Sequence, residues 1–357
     1  MIDNGMQYLS IKHMPFGRVT QDIERKIRYM RLGIVGSGMI VQEILPMLCQ
    51  MGIEEIYLLV RPESEEKGIR LCQEYGLAGY YTDYTKMLEE NIDTIYIALP
   101  NHLHYAYAKQ AFEADKHVVV EKPMVPTVEE FDMLCTLAKE HNRMLIEAIN
   151  IPYLPAYQSL KEHVNELGAI RIVNFNFSQY SSRYDAFKEG KVAPVFDVNK
   201  AGGALMDINV YNLHAIVGLF GRPERVVYHA NIERGIDTSG ILTLDYGKFQ
   251  VVAIGAKDCS APTVSTIQGD AGYVRIDGPT NQFHTYVLAK NKQEEIVHSY
   301  NIGEHRLSYE WKKFIQMIND KDIKTAENML LNCRIVCEIM ERARHGQGIY
   351  FPDETVE

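Results

Sequence analysis

The sequence lacks the long apolar runs, paired cysteines and repeats that mark several specialised classes of protein. No apolar run approaches the roughly 18 residues that a membrane-spanning helix needs, and runs such as 56–60 and 93–99 have the length of strands. The six cysteines include no Cys-x-x-Cys pair, which argues against a disulfide miniprotein and predicts reduced, mostly buried thiols in the cytoplasm. No fixed-period repeat or low-complexity segment is visible.

Positive charge is also scarce, because 37 lysine and arginine residues stand against 47 aspartate and glutamate residues, for a formal net charge of −10. A chain of this charge repels phosphate backbones, which argues against nucleic acid as a principal partner. His102 and His104 resemble a metal-binding pair, but no further histidine or cysteine follows at a useful spacing. We therefore expect no nucleic-acid partner, no membrane partner and no metal site.

The remaining composition is that of an ordinary globular protein, with 46% hydrophobic and 24% charged residues. A length of 357 residues predicts two domains. Residues 1–30 contain no apolar core of the kind found in signal peptides, and their acidic residues argue against a transit peptide. We expect this segment to be a surface extension without chemistry of its own.

Short β-rich segments alternate with helical segments from residue 31 to residue 149. The pattern predicts strands over 31–36, 55–60, 93–99, 116–120 and 143–149, with helices over 39–51, 63–75, 104–114 and 128–141. Alternation of this kind indicates βαβ units. Residues 31–149 are therefore expected to form an α/β domain with a doubly wound parallel sheet that helices cover on both faces.

The pattern changes after residue 150. Helices are predicted over 156–167, 205–219, 308–319 and 325–344, with strands over 169–179, 225–232, 240–245, 250–256, 264–268, 273–277, 284–289 and 295–299. Most of these strands are separated by turns without intervening helices, which favours antiparallel pairing. Residues 150–357 are expected to form an α+β domain with a large, mostly antiparallel open sheet.

A glycine-rich segment stands where the first predicted strand turns into the first helix. It reads Gly36, Ser37, Gly38, Met39 and Ile40. The first glycine allows a tight turn, and the second lets the backbone approach a pyrophosphate that the helix N-terminus attracts. Val41 occupies the third glycine position of the dinucleotide-binding pattern, so an ordinary tight strand-to-helix turn remains an alternative.

Arg61 stands at the end of the second predicted strand, where NAD enzymes usually carry an acid that binds the ribose 2′-hydroxyl. A carboxylate would repel a 2′-phosphate, whereas an arginine can bind one through two hydrogen bonds. The residue therefore favours NADP over NAD. The alternative is that Arg61 is a solvated loop residue.

Three further segments carry polar side chains at ends of predicted elements. Pro100-Asn101-His102-Leu103-His104 and Glu121-Lys122-Pro123 follow two strands, and Gly202-Gly203-Ala204-Leu205-Met206-Asp207 opens a helix in the second region. In open α/β sheets the carboxyl ends of the strands border the ligand site. In this order and spacing the segments resemble the glucose–fructose oxidoreductase and inositol dehydrogenase family (Gfo/Idh/MocA), over about residues 31–352.

The resemblance implies a dinucleotide-binding Rossmann domain, an α+β domain with an open sheet, and NAD(P)-dependent oxidation or reduction of sugars, cyclitols or related alcohols. Lys122 matches the family's catalytic lysine and Asp207 its active-site aspartate, while Tyr211 falls where members have histidine or tyrosine. His104 matches a histidine beside the cofactor. The expected cofactor contacts outside the glycine-rich segment are Arg61, Pro100, Asn101, His104, Glu121 and Lys122.

The sequence also departs from the family's pattern. Asn209 stands where glycine is common, Val41 replaces a small residue, and His214 falls where many members have aspartate or asparagine. These departures bear on the substrate class more than on the chemistry.

The second-domain residues make chemical sense without the family. Asp207, Tyr211 and His214 are spaced i, i+4 and i+7, so on a helix they share one face. Three polar side chains of this kind are better explained by a polar pocket than by a core. Asp207 is expected to orient substrate hydroxyls and tune Lys122, Tyr211 to hydrogen-bond substrate or assist proton transfer, and His214 to contact substrate. A solvated helix face is the alternative.

Lys122 is the predicted acid–base group. As a base it would take the proton of the substrate hydroxyl, and as an ammonium it would protonate a carbonyl oxygen. Burial and a cationic nicotinamide are expected to lower the pKa of Lys122. The polar, aromatic segment 180–185 is a candidate cover for the substrate.

Two functions follow from these observations. The first is an NADP-preferring oxidoreductase acting on a small polyhydroxylated substrate such as an aldose, cyclitol or trans-dihydrodiol. The second is a nucleotide-binding sensor on the same fold that catalyses nothing, although retention of both Lys122 and Asp207 favours the enzyme.

The second sheet is expected to bind another copy of the chain. Its strands carry apolar residues on both faces. In the strand predicted over 169–179, Ile172 is expected on one face and Phe175 and Phe177 on the other. In the strand predicted over 250–256, Val251 is expected on one face and Val252 and Ile254 on the other. A bare apolar face would be a large exposed patch, so we expect a homodimer, or a tetramer built from it, joined through this face.

Overall fold

The structure is a computed structural model that describes residues 29–282, 284–300, 303, 305–352 and 354. The predicted extension over 1–30 lies outside the described residues except for its last two positions. Two sheets organise the described chain, one of six strands and one of eight. Within the described chain, no helix combines the length and the apolar character that crossing a membrane requires.

The first sheet confirms the predicted parallel, doubly wound architecture. Its strands are β1 (Arg31–Val35), β2 (Glu55–Leu59), β3 (Gly79–Tyr81), β4 (Thr94–Ile97), β5 (His117–Glu121) and β6 (Leu145–Ala148). They lie in the order β3-β2-β1-β4-β5-β6, and every neighbouring pair is parallel. The sequence analysis missed β3, which has only three residues and owes its conformation to pairing with β2.

Helices cover both faces of this sheet. They are α1 (Met39–Leu48), α2 (Glu65–Tyr75), α3 (Tyr84–Leu88), α4 (His104–Glu113) and α5 (Val128–Glu140). The strand side chains divide between two core clusters: Leu32 and Ile34 pack on one face, and Val35 packs on the other. Because parallel strands are buried on both faces, nearly all the apolar residues of this sheet lie in the core.

The second sheet is mostly antiparallel, as predicted. Its strands are β7 (Ile170–Ser178), β8 (Arg225–Glu233), β9 (Ile236–Asp245), β10 (Gln250–Ala256), β11 (Val264–Gly269), β12 (Gly272–Asp277), β13 (Thr285–Lys290) and β14 (Ile296–Ser299). They lie in the order β14-β13-β12-β11-β7-β10-β9-β8, and the pair β7–β10 is parallel. A parallel pair requires a long crossover, and the chain between β7 and β10 provides one.

Within the described part of the chain, helices pack on only one face of the second sheet. The helical elements of this part are α6 (Pro155–His163), α7 (Tyr184–Lys188), a π-helical segment (Leu205–Asn209) continued by α8 (Val210–Phe220), α9 (Ser308–Asp320) and α10 (Ile323–His345). Phe175 and Val251 point into the core with Leu213 of α8. On the opposite face Ile172 and Ile241 remain about half exposed, at 51% and 46%.

The last two helices return to the first sheet. Trp311 of α9 packs edge-to-face on Tyr96 of β4, with 5.0 Å between ring centroids. Cys333 and Cys337 of α10 belong to the core on the other face of the same sheet. The contacts of these helices therefore cross the predicted domain boundary at residues 149–150.

The cysteines are free, but they are less buried than predicted. Cys333 and Cys337 are buried, whereas Cys49 and Cys259 are exposed and the other two are intermediate. The expectation of mostly buried thiols is therefore wrong. The exposed pair lies just beyond the ends of α1 and β10, where the chain leaves the core.

Candidate active site

The carboxyl ends of β1, β4 and β5 form one edge of the first sheet. The strand order changes direction between β1 and β4, so the crossover helices leave the sheet on opposite sides at this point. In open α/β sheets the crevice at such a switch point holds the ligand. The three predicted segments that follow β1, β4 and β5 all begin at this edge.

The glycine-rich turn after β1 borders open space. Gly36 has a φ of +114°, and a Cβ there would lie 2.5 Å from the carbonyl oxygen of Ala98, so only glycine fits. A Cβ on Gly38 would meet nothing within 4 Å. The first turn of α1 carries no acidic residue. Its free N–H groups and the open backbone fit a pyrophosphate.

The other residues of this turn take different positions. Met39 is 68% exposed at the start of α1. Ile40 is partly buried and packs against the core beneath the helix. Val41 is fully buried in the same core. The third glycine position is thus filled by a side chain that packs α1 against the sheet.

Two cations stand beside the turn on the side of β2. The guanidinium of Arg61 lies 3.0 Å from Oε1 of Glu63, and its side chain is 77% exposed. Lys67 of α2 donates a hydrogen bond from Nζ to the carbonyl oxygen of Ser37. Lys67 was not predicted as a site residue. The available signal was its position in the first turn of α2, the helix that follows Arg61. Arg61 and Lys67 thus place two positive charges on the chain segment that follows β2.

Lys122 connects the two halves of the site. It follows β5, and its Nζ donates to the carbonyl oxygen of Asp207 at 2.8 Å and to Oδ1 of Asp207 at 3.1 Å. The same ammonium lies 4.7 Å from the ring centroid of Tyr211. The structure therefore brings Lys122 together with two residues that lie 85 positions or more further along the chain.

The backbone around Asp207 explains the paired glycines. A Cβ on Gly202 would lie 2.6 Å from the carbonyl oxygen of Pro194. Gly203 has a φ of +108°, and a Cβ there would clash with the carboxylate of Asp237. That carboxylate accepts a hydrogen bond from the backbone N–H of Leu205 at 2.7 Å. The two glycines thus let the start of the π-helical segment dock on the second sheet.

A second lysine contacts Asp207. Lys257 follows β10, is 8% exposed, and donates from Nζ to Oδ2 of Asp207. The carboxylate is thereby held between two ammonium groups, because Oδ1 faces Lys122. The sequence analysis missed Lys257, which stands 50 positions from Asp207 and belongs to no recognised motif.

Electrostatics keep this pair ionised. Burial opposes the charged form of both side chains and is the largest single influence on each. For Lys122 it is outweighed by Asp207, so the pKa is raised. The two lysines likewise hold the pKa of Asp207 well below its ordinary value. Burial therefore acts on the pKa of Lys122 in the expected direction, but the net shift is upward, because a carboxylate lies 3.1 Å away.

His104 does not line the crevice. It is fully buried, its Nε2 lies 2.8 Å from the carbonyl oxygen of Leu99, and its Nδ1 lies 3.0 Å from that of Pro123. No surface of this imidazole is left for a cofactor, so the predicted contact is wrong. The ring instead ties the turn after β4 to the turn that carries Lys122.

The remaining predicted contacts lie around these turns. Pro100 precedes a short 3₁₀ turn, and Asn101 in that turn donates to the carbonyl oxygen of Ala201 at 2.8 Å, bridging to the second region. Glu121 accepts a hydrogen bond from the hydroxyl of Tyr96 at 2.5 Å. Burial raises the pKa of Glu121.

His214 is buried against β6. Its side chain is 2% exposed, and Nε2 lies 3.4 Å from Oε2 of Glu147 on β6. The sequence analysis assumed a regular α-helix, but Asp207 lies in a π-helical segment, which shifts the phase of the residues that follow. The structure does not support a substrate contact for His214, since the side chain presents almost no surface.

The segment proposed as a cover spans the crevice. Tyr180 donates to Oδ1 of Asp185 at 2.7 Å, which braces the segment internally. Nη2 of Arg183 lies 3.6 Å from Sδ of Met39, beside the glycine-rich turn. The second region thus touches the first at both the lysine and the turn.

Comparisons with known proteins agree with this geometry. Residues 30–149 match the model of the oxidoreductase family with an NAD-binding Rossmann fold, and residues 157–275 match the GFO/IDH/MocA C-terminal domain. The chain belongs to the Gfo/Idh/MocA oxidoreductase family.

Several known proteins are similar to most of the chain. The scyllo-inositol 2-dehydrogenase (NADP(+)) IolU of Bacillus subtilis is 29% identical over 90% of this chain and 98% of its own length. The trans-1,2-dihydrobenzene-1,2-diol dehydrogenase of Mus musculus is 23% identical over 91% and 99%. The 3-ketoreductase KijD10 of Actinomadura kijaniata, solved with NADP and TDP-benzene, shares the fold, with a TM-score of 0.77, 20% identity and coverage of 89% and 98%.

As a member of the Gfo/Idh/MocA family, the chain is an NAD(P)-dependent dehydrogenase or reductase.

Its departure from the family pattern at Asn209 has a structural reason. Nδ2 of Asn209 donates to the carbonyl oxygen of Ala253 at 3.2 Å, and Oδ1 accepts from Asn212 at 2.9 Å. These bonds fasten the π-helical segment to β10 directly behind Asp207.

Proposed function

We propose that this Gfo/Idh/MocA member is an NADP-preferring oxidoreductase that interconverts a hydroxyl and a carbonyl group on a cyclitol, sugar or dihydrodiol-like substrate. The observation that carries the proposal is the placement of Lys122 at the ligand edge of the first sheet, with its ammonium held at 2.8 Å and 3.1 Å by Asp207. An acid–base group and its partner stand where a cofactor and substrate would meet.

The residues divide the chemistry among themselves. A bound nicotinamide would supply or accept the hydride. In reduction the ammonium of Lys122 gives its proton to the carbonyl oxygen, and in oxidation the neutral amine takes the hydroxyl proton. Asp207 holds Lys122 in place and accepts hydrogen bonds from substrate hydroxyls. Tyr211, whose ring also lies beside the ammonium of Lys122, hydrogen-bonds the substrate through its phenol.

The substrate class rests on the polarity of this group and on the relatives. Lys122 and Lys257 offer donors and Asp207 offers acceptors within one cluster, which suits vicinal hydroxyls. The relatives at 29% and 23% identity are named for scyllo-inositol and for a trans-dihydrodiol, both of which carry adjacent hydroxyl groups. We extend this class, and no single compound, to the present chain.

The preference for NADP rests on the side chains that follow β2. Arg61 stands where NAD enzymes place an acid, and Lys67 lies against the glycine-rich turn. Two cations can hold a 2′-phosphate through charge-assisted hydrogen bonds. The naming of the Bacillus subtilis relative for NADP(+) supports the same preference.

A substrate panel tests the proposal. Purified protein would be incubated with scyllo-inositol, myo-inositol, D-xylose and a trans-dihydrodiol, each with NADP⁺ and with NAD⁺, while the absorbance of the reduced nicotinamide is followed. Turnover of at least one compound that is lost in Lys122→Met, with NADP⁺ binding retained, is expected. Cofactor binding without turnover in either direction on any compound would support the nucleotide-binding sensor instead.

We also propose that the exposed face of the second sheet binds a second copy of the chain. Ile172, Val227 and Ile241 stand on three strands of this face and are 51%, 49% and 46% exposed. A two-fold partner would lay the same apolar strip on itself, which is how most homodimers close. Sedimentation at micromolar concentration is expected to give a dimer or tetramer, and a 40.8 kDa monomer would refute the assignment.

A further inference from the structure

Asp207 is held by two lysines from opposite sides of the crevice. We propose that Lys257 is a positioning residue of the reaction centre: it fixes Asp207 as a carboxylate facing Lys122, and its ammonium makes Lys122 easier to deprotonate. The inference rests on the proposed function only in treating Lys122 as the acid–base group.

The position of Lys257 is fixed by its backbone. Its N–H donates to the carbonyl oxygen of Thr238 at 2.9 Å, and its own carbonyl accepts from Ser181 at 2.9 Å. Its side chain is 8% exposed and ends on Oδ2 of Asp207. A long side chain fixed at both ends holds its partner in one orientation.

The neighbouring acid does not compete for this lysine. Oδ2 of Asp258 accepts hydrogen bonds from the hydroxyls of Thr238 at 2.7 Å and Ser239 at 2.8 Å. Asp207 is therefore the carboxylate that Lys257 contacts through Nζ. Its two oxygens are divided, with Oδ2 on Lys257 and Oδ1 on Lys122.

One carboxylate shared by two ammonium groups leaves a net positive charge in the cluster. The groups that face Lys122 are Asp207, Tyr211, Glu121 and His214; Arg306 acts on Tyr211 and Glu121. Lys257 opposes the effect of Asp207 on Lys122 in two ways, since it draws on the same carboxylate and repels the second ammonium. Removing its charge would therefore raise the pKa of Lys122.

The competing explanation is that Lys257 only neutralises a buried acid. Loss of the lysine would destabilise the fold under either explanation, so stability cannot distinguish them. The proton affinity of Lys122 can, because it responds to the charge of Lys257 and not to the packing of its side chain. The readout must also work without turnover, so that failure of the proposed substrate class is a separate result.

Acetylation of Lys122 supplies such a readout. Acetic anhydride reacts with neutral amines, and well below the pKa the neutral fraction falls tenfold for each unit by which the pKa rises. The rate would be measured at one pH by peptide mass spectrometry in the wild type, Lys257→Met, Lys257→Gln and Lys257→Arg. Lys191, whose side chain is 79% exposed, serves as the internal reference.

Lys257→Met and Lys257→Gln are expected to slow acetylation of Lys122 by about tenfold relative to Lys191. Lys257→Arg, which keeps the charge, should stay within about threefold of the wild type. A cavity that merely admitted more reagent would speed the reaction, which is the opposite sign. Either neutral variant suffices if the other does not fold.

An unchanged rate in the folded neutral variants would overturn the proposal, and so would an equal loss in Lys257→Arg, because packing and not charge would then be responsible. If the rates change as expected while no compound of the panel is turned over, the role of Lys257 stands and the proposed substrate class fails. Where a substrate is found, the limb on which the rate of alcohol oxidation rises with pH should move to higher pH in Lys257→Met and not in Lys257→Arg.

Discussion

The two sheets of this protein differ in how many of their faces are buried. In the six-stranded sheet every neighbouring pair is parallel, and its apolar side chains pack into cores on both faces. In the eight-stranded sheet one face packs on α8, and the other leaves Ile172 and Ile241 about half exposed. The parallel sheet thus leaves only its edges open, whereas the antiparallel sheet packs helices on one face and leaves the other partly exposed.

Neither region contains a complete site by itself. The first sheet contributes Lys122 and the glycine-rich turn, and the second positions Asp207, Tyr211 and Lys257. The contact between Lys122 and Asp207 forms where the two regions meet. Changes at this meeting point should therefore affect chemistry, and changes to one region alone should affect one separable property.

The largest expected effect is at the contact between the regions. Lys122→Met should lower turnover by about 10²- to 10⁴-fold, the usual worth of a positioned acid–base group, while leaving NADP binding intact. Steady-state rates and fluorescence titration with NADPH would measure the two properties. The matched control is Lys139→Met, an exposed lysine of α5. Near-normal turnover in Lys122→Met would remove this lysine from the mechanism.

The open face of the second sheet should respond separately. Ile241→Asp places a charge at the centre of the proposed self-interface and should weaken dimerisation by about 10²-fold, because the charge would be buried without a partner. Sedimentation velocity over a concentration series measures the effect. Leu331→Asp is the control, since Leu331 is 64% exposed on α10 and lies outside this face. Equal behaviour of the two variants would argue against the proposed surface.

Cofactor choice belongs to the first region. Arg61→Ala should weaken NADP binding by about tenfold and NAD binding by less than about threefold, because only NADP carries the 2′-phosphate. Isothermal titration of both nucleotides would show it, with the exposed Arg70 of α2 changed to alanine as the control. A wild type that binds NAD more tightly, or a variant that loses both nucleotides equally, would contradict the assignment.

The smallest effect concerns the side of the first region that α10 covers. Burial raises the pKa of Glu130 to about 7, so ionisation of this acid costs stability as the pH rises from about 4.5 to 7. Glu130→Gln should therefore increase the free energy of unfolding by about 1 kcal/mol at pH 8 and leave it unchanged at pH 4.

Urea denaturation at the two pH values tests the change at Glu130, with exposed Glu129→Gln as the control. The change to glutamine keeps the backbone N–H of residue 130, which donates to the hydroxyl of Thr127 at the start of α5. A gain in stability at both pH values would show that the effect is not one of ionisation.

Much of this architecture follows from local patterns. The periodicities of residues 31–149 and 150–357 predicted the two kinds of sheet because parallel and antiparallel strands differ in how many faces are buried. The elements missed in the first region, β3 and α3, have three and five residues, too few to show a period. The motifs around Gly36, Lys122 and Asp207 were visible because each requires particular residues at fixed local spacing.

Local sequence patterns predicted most of the strands and helices and the position of the glycine-rich turn, and the family resemblance pointed to the lysine and the aspartate of the site. The burial of His104 and His214 could be read only from the tertiary structure. The same is true of the contacts that bring Lys67 and Lys257 to the site. The reason is physical: the direction of a side chain depends on helix phase and on strand pairing between distant segments. A single π-helical segment redirects His214, and the pairing of β9, β10 and β7 carries Lys257 to Asp207.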